Sequence, residues 1–164
     1  MATALPIQVV RESIWKRHFS FMEGDKKVGA LQYEKVFSCK AKGSFRNHEW
    51  KFLRKGLWRN RIEIVAQQSP YTKTRIRCSW RRRFEVRAED GNKYYFKQAS
   101  FWHSKWVWKD ARGEPVMEIK SRRLSGKNRG TITFLQTPQS AHQLLVLLGW
   151  YQLLAWEDQA RIAG

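Results

Sequence analysis

Residues 144–156 read Leu144-Leu145-Val146-Leu147-Leu148-Gly149-Trp150-Tyr151-Gln152-Leu153-Leu154-Ala155-Trp156, thirteen positions with one polar side chain, Gln152. Leu and Ala dominate and β-branched residues are few, so the stretch favours a helix. Its apolar residues cover every face rather than one stripe. A helix of that kind must be surrounded by protein or by lipid. Crossing a bilayer takes ~20 apolar residues, and this run is shorter. Burial in protein is the first reading, and membrane insertion competes with it. Ser140 and Gln143 have capping-box spacing just before the run. Thr137-Pro138 offers an alternative start, with Pro at the first helical position. The spacing predicts a helix over 138–161.

The residues before it are of another kind. Of the 32 Lys and Arg in the 164-residue chain, all but Arg161 precede residue 131, and the formal net charge is +18. With 42% apolar and 14% aromatic residues, including nine Trp, the chain is too apolar for a disordered basic tail. Its length suits one domain with a real core.

Alternation with period 2, the strand signature, runs through this region. Arg75, Arg77, Ser79, Arg81, Arg83, Glu85 and Arg87 oppose Ile76, Cys78, Trp80, Arg82, Phe84, Val86 and Ala88. A single strand that long would span ~46 Å, so a bend is expected near Arg82. Trp58, Asn60, Ile62, Ile64 and Ala66 oppose Arg59, Arg61, Glu63 and Val65. Trp102, Ser104, Trp106 and Trp108 oppose His103, Lys105, Val107 and Lys109, and Trp15, Arg17, Phe19 and Phe21 oppose Ile14, Lys16, His18 and Ser20. The Trp-bearing faces read as core. Turn signals at Gly24-Asp25, Gly56, Ser69-Pro70, Asp90-Gly91-Asn92, Arg112-Gly113-Glu114-Pro115 and Ser125-Gly126-Lys127-Asn128 separate about eleven or twelve strands. Three of these turns repeat an acid-and-Gly pattern, as in hairpins of a meander.

Many antiparallel strands gain from closure, which removes edges. Twelve strands spaced ~4.8 Å and tilted ~40° enclose a cylinder ~24 Å across. Strand side chains alone do not fill it, and a helix ~10–12 Å wide does. The expected fold is mainly β: a closed antiparallel barrel of about twelve strands, residues 1–137, around a central hydrophobic C-terminal helix.

The meander with D-x-x-G-x-x-V turns, the stretch Phe101–Ser121 (FWHSKWVWKDARGEPVMEIKS) and the tail LLVLLGWYQLLAWED resemble the Tubby C-terminal-like superfamily. Within it, the chain is most similar to the LURP-one-related branch, with phospholipid scramblases as relatives. The resemblance implies a twelve-stranded barrel around a hydrophobic helix. Tubby proteins bind phosphoinositides on a basic patch, so it also implies anionic phospholipid headgroups as ligands. No family motif aligns residue by residue, and no family site is carried over.

The candidate site comes from the charge pattern. Arg75, Arg77, Arg81, Arg83 and Arg87 would project in parallel from one face, ~6.7 Å apart, where guanidinium groups form bidentate bonds to phosphate. Lys51, Arg54, Lys55, Arg59 and Arg61 form a second basic cluster. The competing reading is a solvated wall, with Glu49 and Glu63 pairing across strands. A net +18 predicts attraction to polyanions. Trp alternating with bases could stack on single-stranded nucleic acid, but the same-face neighbours look like core.

No catalytic set stands out, and no enzymatic activity or cofactor is expected. His18, His48, His103 and His142 have no metal-ligand spacing. Cys39 and Cys78 read as small apolar residues rather than a bridge. Ser125–Gly130 is basic and Gly-rich but lacks the order of a phosphate-binding loop. No signal peptide or lipidation motif is read at either end. The expectation is a cytoplasmic monomer, peripheral at the membrane, that binds anionic lipid on its outer basic face. Nucleic-acid binding through the same surface and a scramblase-like protein with an inserting helix remain open.

Overall fold

The computed structural model describes residues 4–13, 15–35, 38–55, 61–67, 73–77, 83–100, 102, 104–122 and 126–163, with backbone alone at 73–77 and 161–163. Twelve strands precede one helix. They are β1 (Ile7–Arg11), β2 (His18–Glu23), β3 (Lys26–Tyr33), β4 (Ala41–Phe45), β5 (His48–Lys55), β6 (Arg61–Ala66), β7 (Lys73–Arg77), β8 (Arg83–Arg87), β9 (Lys93–Ser100), β10 (Lys105–Asp110), β11 (Pro115–Ser121) and β12 (Asn128–Phe134), followed by α1 (His142–Ala163). All strands join one sheet in the order β7-β6-β5-β4-β3-β2-β1-β12-β11-β10-β9-β8. Every adjacent pair is antiparallel. Strand 1 pairs with both 2 and 12, so the meander rolls back on itself and leaves β7 and β8 as the two edges. No ladder joins those edges among the described residues.

The sheet wraps α1. Leu145, Val146, Leu147, Leu148, Trp150, Tyr151, Gln152, Leu153 and Leu154 are all buried, on every side of the helix. Phe19 of β2 meets Trp150 edge-on at 5.9 Å, and Phe52 of β5 stacks on Tyr151 at 5.2 Å. From the other half, Phe84 of β8, Phe96 of β9 and Trp106 of β10 surround Trp156 at 6.1, 5.8 and 4.8 Å. The Trp108 indole N–H donates to the Leu145 carbonyl at 2.9 Å. A side chain on Gly43 of β4 would meet Leu147, and one on Gly130 of β12 would meet Trp150. Elements from nearly the whole circuit of the sheet therefore touch the rod, and the apolar surface found on all its faces is satisfied.

Local patterns mostly follow the alternation. Phe84 and Val86 point inward between exposed Arg83, Glu85 and Arg87, and Ile62 and Ile64 do the same in β6. Turn glycines Gly24, Gly91 and Gly113 have positive φ of 61°, 81° and 84°, the backbone shape these tight hairpins require. Three expectations change. Residues 75–77 belong to β7 and 83–87 to β8, at opposite ends of the sheet order rather than to one bent strand. Cys78, Ser79, Trp80, Arg81 and Arg82 lie outside the described residues. The helix starts at His142, where Gln139 N–H donates to the His142 ring Nδ1 at 3.1 Å, rather than at a Ser140 box. Trp15 and Trp102, read as core, are exposed, because each sits in the turn before its strand begins.

Candidate functional site

Cross-strand register decides which basic residues share a surface. Lys55 at the end of β5 stands opposite Arg61 at the start of β6, which stands opposite Arg77 at the end of β7. Lys42 stands opposite Lys51. On the far side of the seam, Arg83 faces Lys97 and Arg87 faces Lys93. Lys51, Lys55, Arg61, Arg83, Arg87 and Lys97 are exposed on the outer wall. Directly opposed like charges destabilise a sheet. Acids relieve some of the wall: Lys55 meets Glu63 at 3.2 Å, and Lys93 meets Glu85 at 3.8 Å. Among the described residues, no carboxylate bridges Lys51, Arg61, Arg83, Arg87 or Lys97. Elsewhere the sheet does compensate opposed lysines, since Glu118 holds both Lys105 at 2.9 Å and Lys120 at 3.6 Å.

Of the two clusters read from sequence, Lys51, Lys55 and Arg61 stand on the outer wall on one side of the β7/β8 seam and Arg83 and Arg87 on the other. Arg75 takes its place by register opposite Glu63, and Arg77 opposite Arg61. Arg59 and Arg81 lie outside the described residues. Arg54 departs from the cluster. It pairs in register with inward Ile62, and its guanidinium donates to Gln152 Oε1 and lies 5.3 Å from the Tyr151 ring. An even-numbered position between outward Lys51, Leu53 and Lys55 points to the lumen.

Arg54 belongs to a polar collar around the C-terminal half of α1. Arg17 bridges Asp158 at 2.7 Å and covers the Tyr33 ring at 4.8 Å. Tyr33 stacks on Tyr151, whose hydroxyl donates to the Cys39 carbonyl. Burial pushes the Tyr33 phenol well above its ordinary value. Glu157 accepts from the Ser121 hydroxyl at 2.7 Å and pairs with Arg129 at 3.5 Å, all three nearly inaccessible. These contacts knit helix to sheet, with each charge spent on a partner inside the protein. The described residues hold no group of three His, Cys, Asp or Glu able to bind a metal ion.

Sequence reasoning missed the two exposed indoles. Trp15 and Trp102 are 81% and 88% accessible. Ser13 gave the available signal at the first, since its hydroxyl accepts from the Trp15 and Lys16 amides at 3.1 and 3.3 Å and turns the chain before β2. No family model, curated protein or solved structure matches the chain. Among the described residues, no helix is long and apolar enough to cross a membrane.

Proposed function

We propose that the chain is a non-enzymatic binding domain of the Tubby-like kind, its sheet closed around α1, whose outer basic wall takes anionic ligands, phospholipid headgroups foremost. The observation that carries this reading is the opposed basic rows, Lys55–Arg61–Arg77 and Arg83–Lys97, on both sides of the β7/β8 seam. Their mutual repulsion works against the sheet, and an external polyanion relieves it. Attraction to an anionic membrane is worth ~1 kcal/mol per basic residue near the surface and is screened by salt. No partner chain and no cofactor enter this mechanism.

Vesicle flotation tests it. The protein should float with phosphatidylcholine vesicles containing phosphatidylserine or phosphoinositide, and not with phosphatidylcholine alone. The triple variant Arg61→Glu, Arg83→Glu, Lys97→Glu should lose roughly a hundredfold or more in affinity while unfolding at an undiminished temperature. Equal flotation on neutral and anionic vesicles would remove the proposal. Preferential retention on single-stranded nucleic acid, with its steep salt dependence, would replace the ligand class.

A further inference from the structure

An antiparallel meander sorts its connections strictly between two ends. The connections entering β3, β5, β9 and β11 share one end with the segment leading into α1, and those entering β2, β4, β10 and β12 share the other. The two ends differ in chemistry. The first carries tight turns in which Asp25, Glu89, Asp90 and Glu114 are balanced by exposed Lys26, Lys27, Arg46 and Arg112. The second carries exposed Lys16, Lys35, Lys40, Arg122 and Lys127, against exposed Glu12 and Glu34. It also carries Trp15 and Trp102, the two most exposed large apolar side chains described.

Exposure of these indoles is an exception among the described residues. Trp50, Trp106, Trp108, Trp150 and Trp156 are all buried. Trp15 and Trp102 flank the β11–β12 connection in the circuit of the sheet, so Arg122 and Lys127 lie between them. Four strand spacings separate the two Trp-bearing connections, ~20 Å along the rim. Backbone bonds tie this arc together. The Arg11 amide donates to the Lys127 carbonyl at 2.8 Å, and the Ser121 amide to the Ser104 carbonyl at 3.0 Å. The Ser13 turn fixes the stem of Trp15. A like-charge pair of the wall reaches the same end, because Lys55 closes β5 and Arg61 opens β6 there.

Tryptophan with flanking Lys and Arg is the composition favoured at a membrane–water interface, where the ring enters the headgroup layer and the cation meets phosphate. Bases stacking along a single strand would call for aromatics in a row within a basic groove. Here the two rings stand apart on separate connections at one end. We infer that this end docks on an anionic bilayer surface, with Trp15 and Trp102 inserted as interfacial anchors on either side of Arg122 and Lys127 and with the helix axis pointing toward the membrane. The inference rests on the proposed affinity for anionic lipid and adds an orientation and a second, apolar source of binding.

The test compares wild type with a Trp15→Ala, Trp102→Ala double variant on phosphatidylcholine–phosphatidylserine vesicles. A control, Leu135→Ala, alters an exposed apolar residue at the opposite end. Each lost indole should weaken binding roughly tenfold with net charge unchanged, and the control should bind as wild type. Phe at both positions should give intermediate binding, and all variants should keep the wild-type unfolding temperature. Lipids brominated in the upper acyl chain should quench wild-type fluorescence more than that of the double variant. Wild-type affinity or wild-type quenching in the double variant would overturn the docking orientation while leaving the lipid-binding reading intact. Failure of wild type to bind anionic vesicles would overturn both. Loss of RNA retention rather than vesicle binding in the double variant would assign this end to nucleic acid and overturn the inference.

Discussion

Gly149 puts the rod-in-sleeve arrangement to a test in which the sign of the result matters. It lies mid-helix, where Ala is normally better by ~1 kcal/mol. A Cβ built there would stand 2.7 Å from Ile119 Cδ1, 2.7 Å from Trp108 Nε1 and 3.4 Å from Phe96 Cε2. Overpacking of this kind costs ~1–3 kcal/mol. The Trp108 indole cannot retreat freely, because it donates to Leu145 O, and weakening that buried bond costs a further ~1 kcal/mol. Set against the propensity gain, Gly149→Ala should destabilise by ~2 kcal/mol, or ~4–8 °C in Tm for a chain of this size. Calorimetry or denaturant unfolding measures it. Ile119→Val removes one of the two closest clashing atoms. Alone it should cost ~1 kcal/mol, and in the Gly149→Ala background less, so the cycle shows favourable coupling. An unchanged or raised Tm for Gly149→Ala would mean the helix is not pressed against β9–β11, and the reasoning built on enclosure would fall with it.

Three further outcomes follow from the same packing. Glu157→Gln leaves the buried Arg129 guanidinium without its counter-charge and should cost ~3 kcal/mol by urea unfolding, whereas replacing both partners with apolar residues should recover part of that. Gly130→Ala places a Cβ 2.4 Å from the Lys120 backbone carbonyl and 3.0 Å from the Trp150 ring, so β11 and β12 must separate, at ~3 kcal/mol in thermal unfolding. Burial holds the His142 pKa below its ordinary 6.5, with Asp90 opposing weakly, and the neutral ring accepts the Gln139 N–H beside Tyr94. The unfolded chain therefore binds the proton more readily. The His142 contribution is complete well above the ordinary 6.5 and declines as pH falls below it, so wild-type stability relative to His142→Asn should drop as the pH is lowered through that value.

The helix and the hairpin meander were legible because both depend on local signals. An apolar run with one polar interruption, Gln152, can only be a surrounded rod, and Gly24, Gly91, Gly113 and Gly126 each mark a strand reversal. Misreadings arise where periodicity outruns the element that carries it. The alternation Trp15-Arg17-Phe19-Phe21 continues unbroken in sequence, yet the strand begins at His18 and only Phe19 and Phe21 enter the core. Trp102 fails the same way, since Ser104 adopts a φ of 46° and breaks the extended chain before β10. Arg54 was grouped by charge although its phase, shared with Trp50 and Phe52, already placed it inward. The two-strand identity of residues 75–88 has no local mark, because β7 and β8 keep one alternation while pairing with strands at opposite ends of the order.

The interior collar sharpens what the net charge means. Its two ion pairs, Arg17–Asp158 and Arg129–Glu157, each cancel, so the whole formal excess of +18 sits on other residues. The part of it set on the outer wall does not hold the helix, and where it is aligned across strands it opposes folding. Arg61 is the clearest case, facing Lys55 on one side and Arg77 on the other. Arg61→Glu sets an acid in register with a base on each side, a pairing worth a few tenths of a kcal/mol up to ~1 each. The variant should therefore melt slightly higher than wild type, by ~1–3 °C, and bind anionic vesicles more weakly. A residue whose reversal strengthens the fold and weakens the binding is retained for the ligand. If instead Arg61→Glu lowered the Tm, or left vesicle affinity unchanged, the basic rows would have to be explained by the sheet itself.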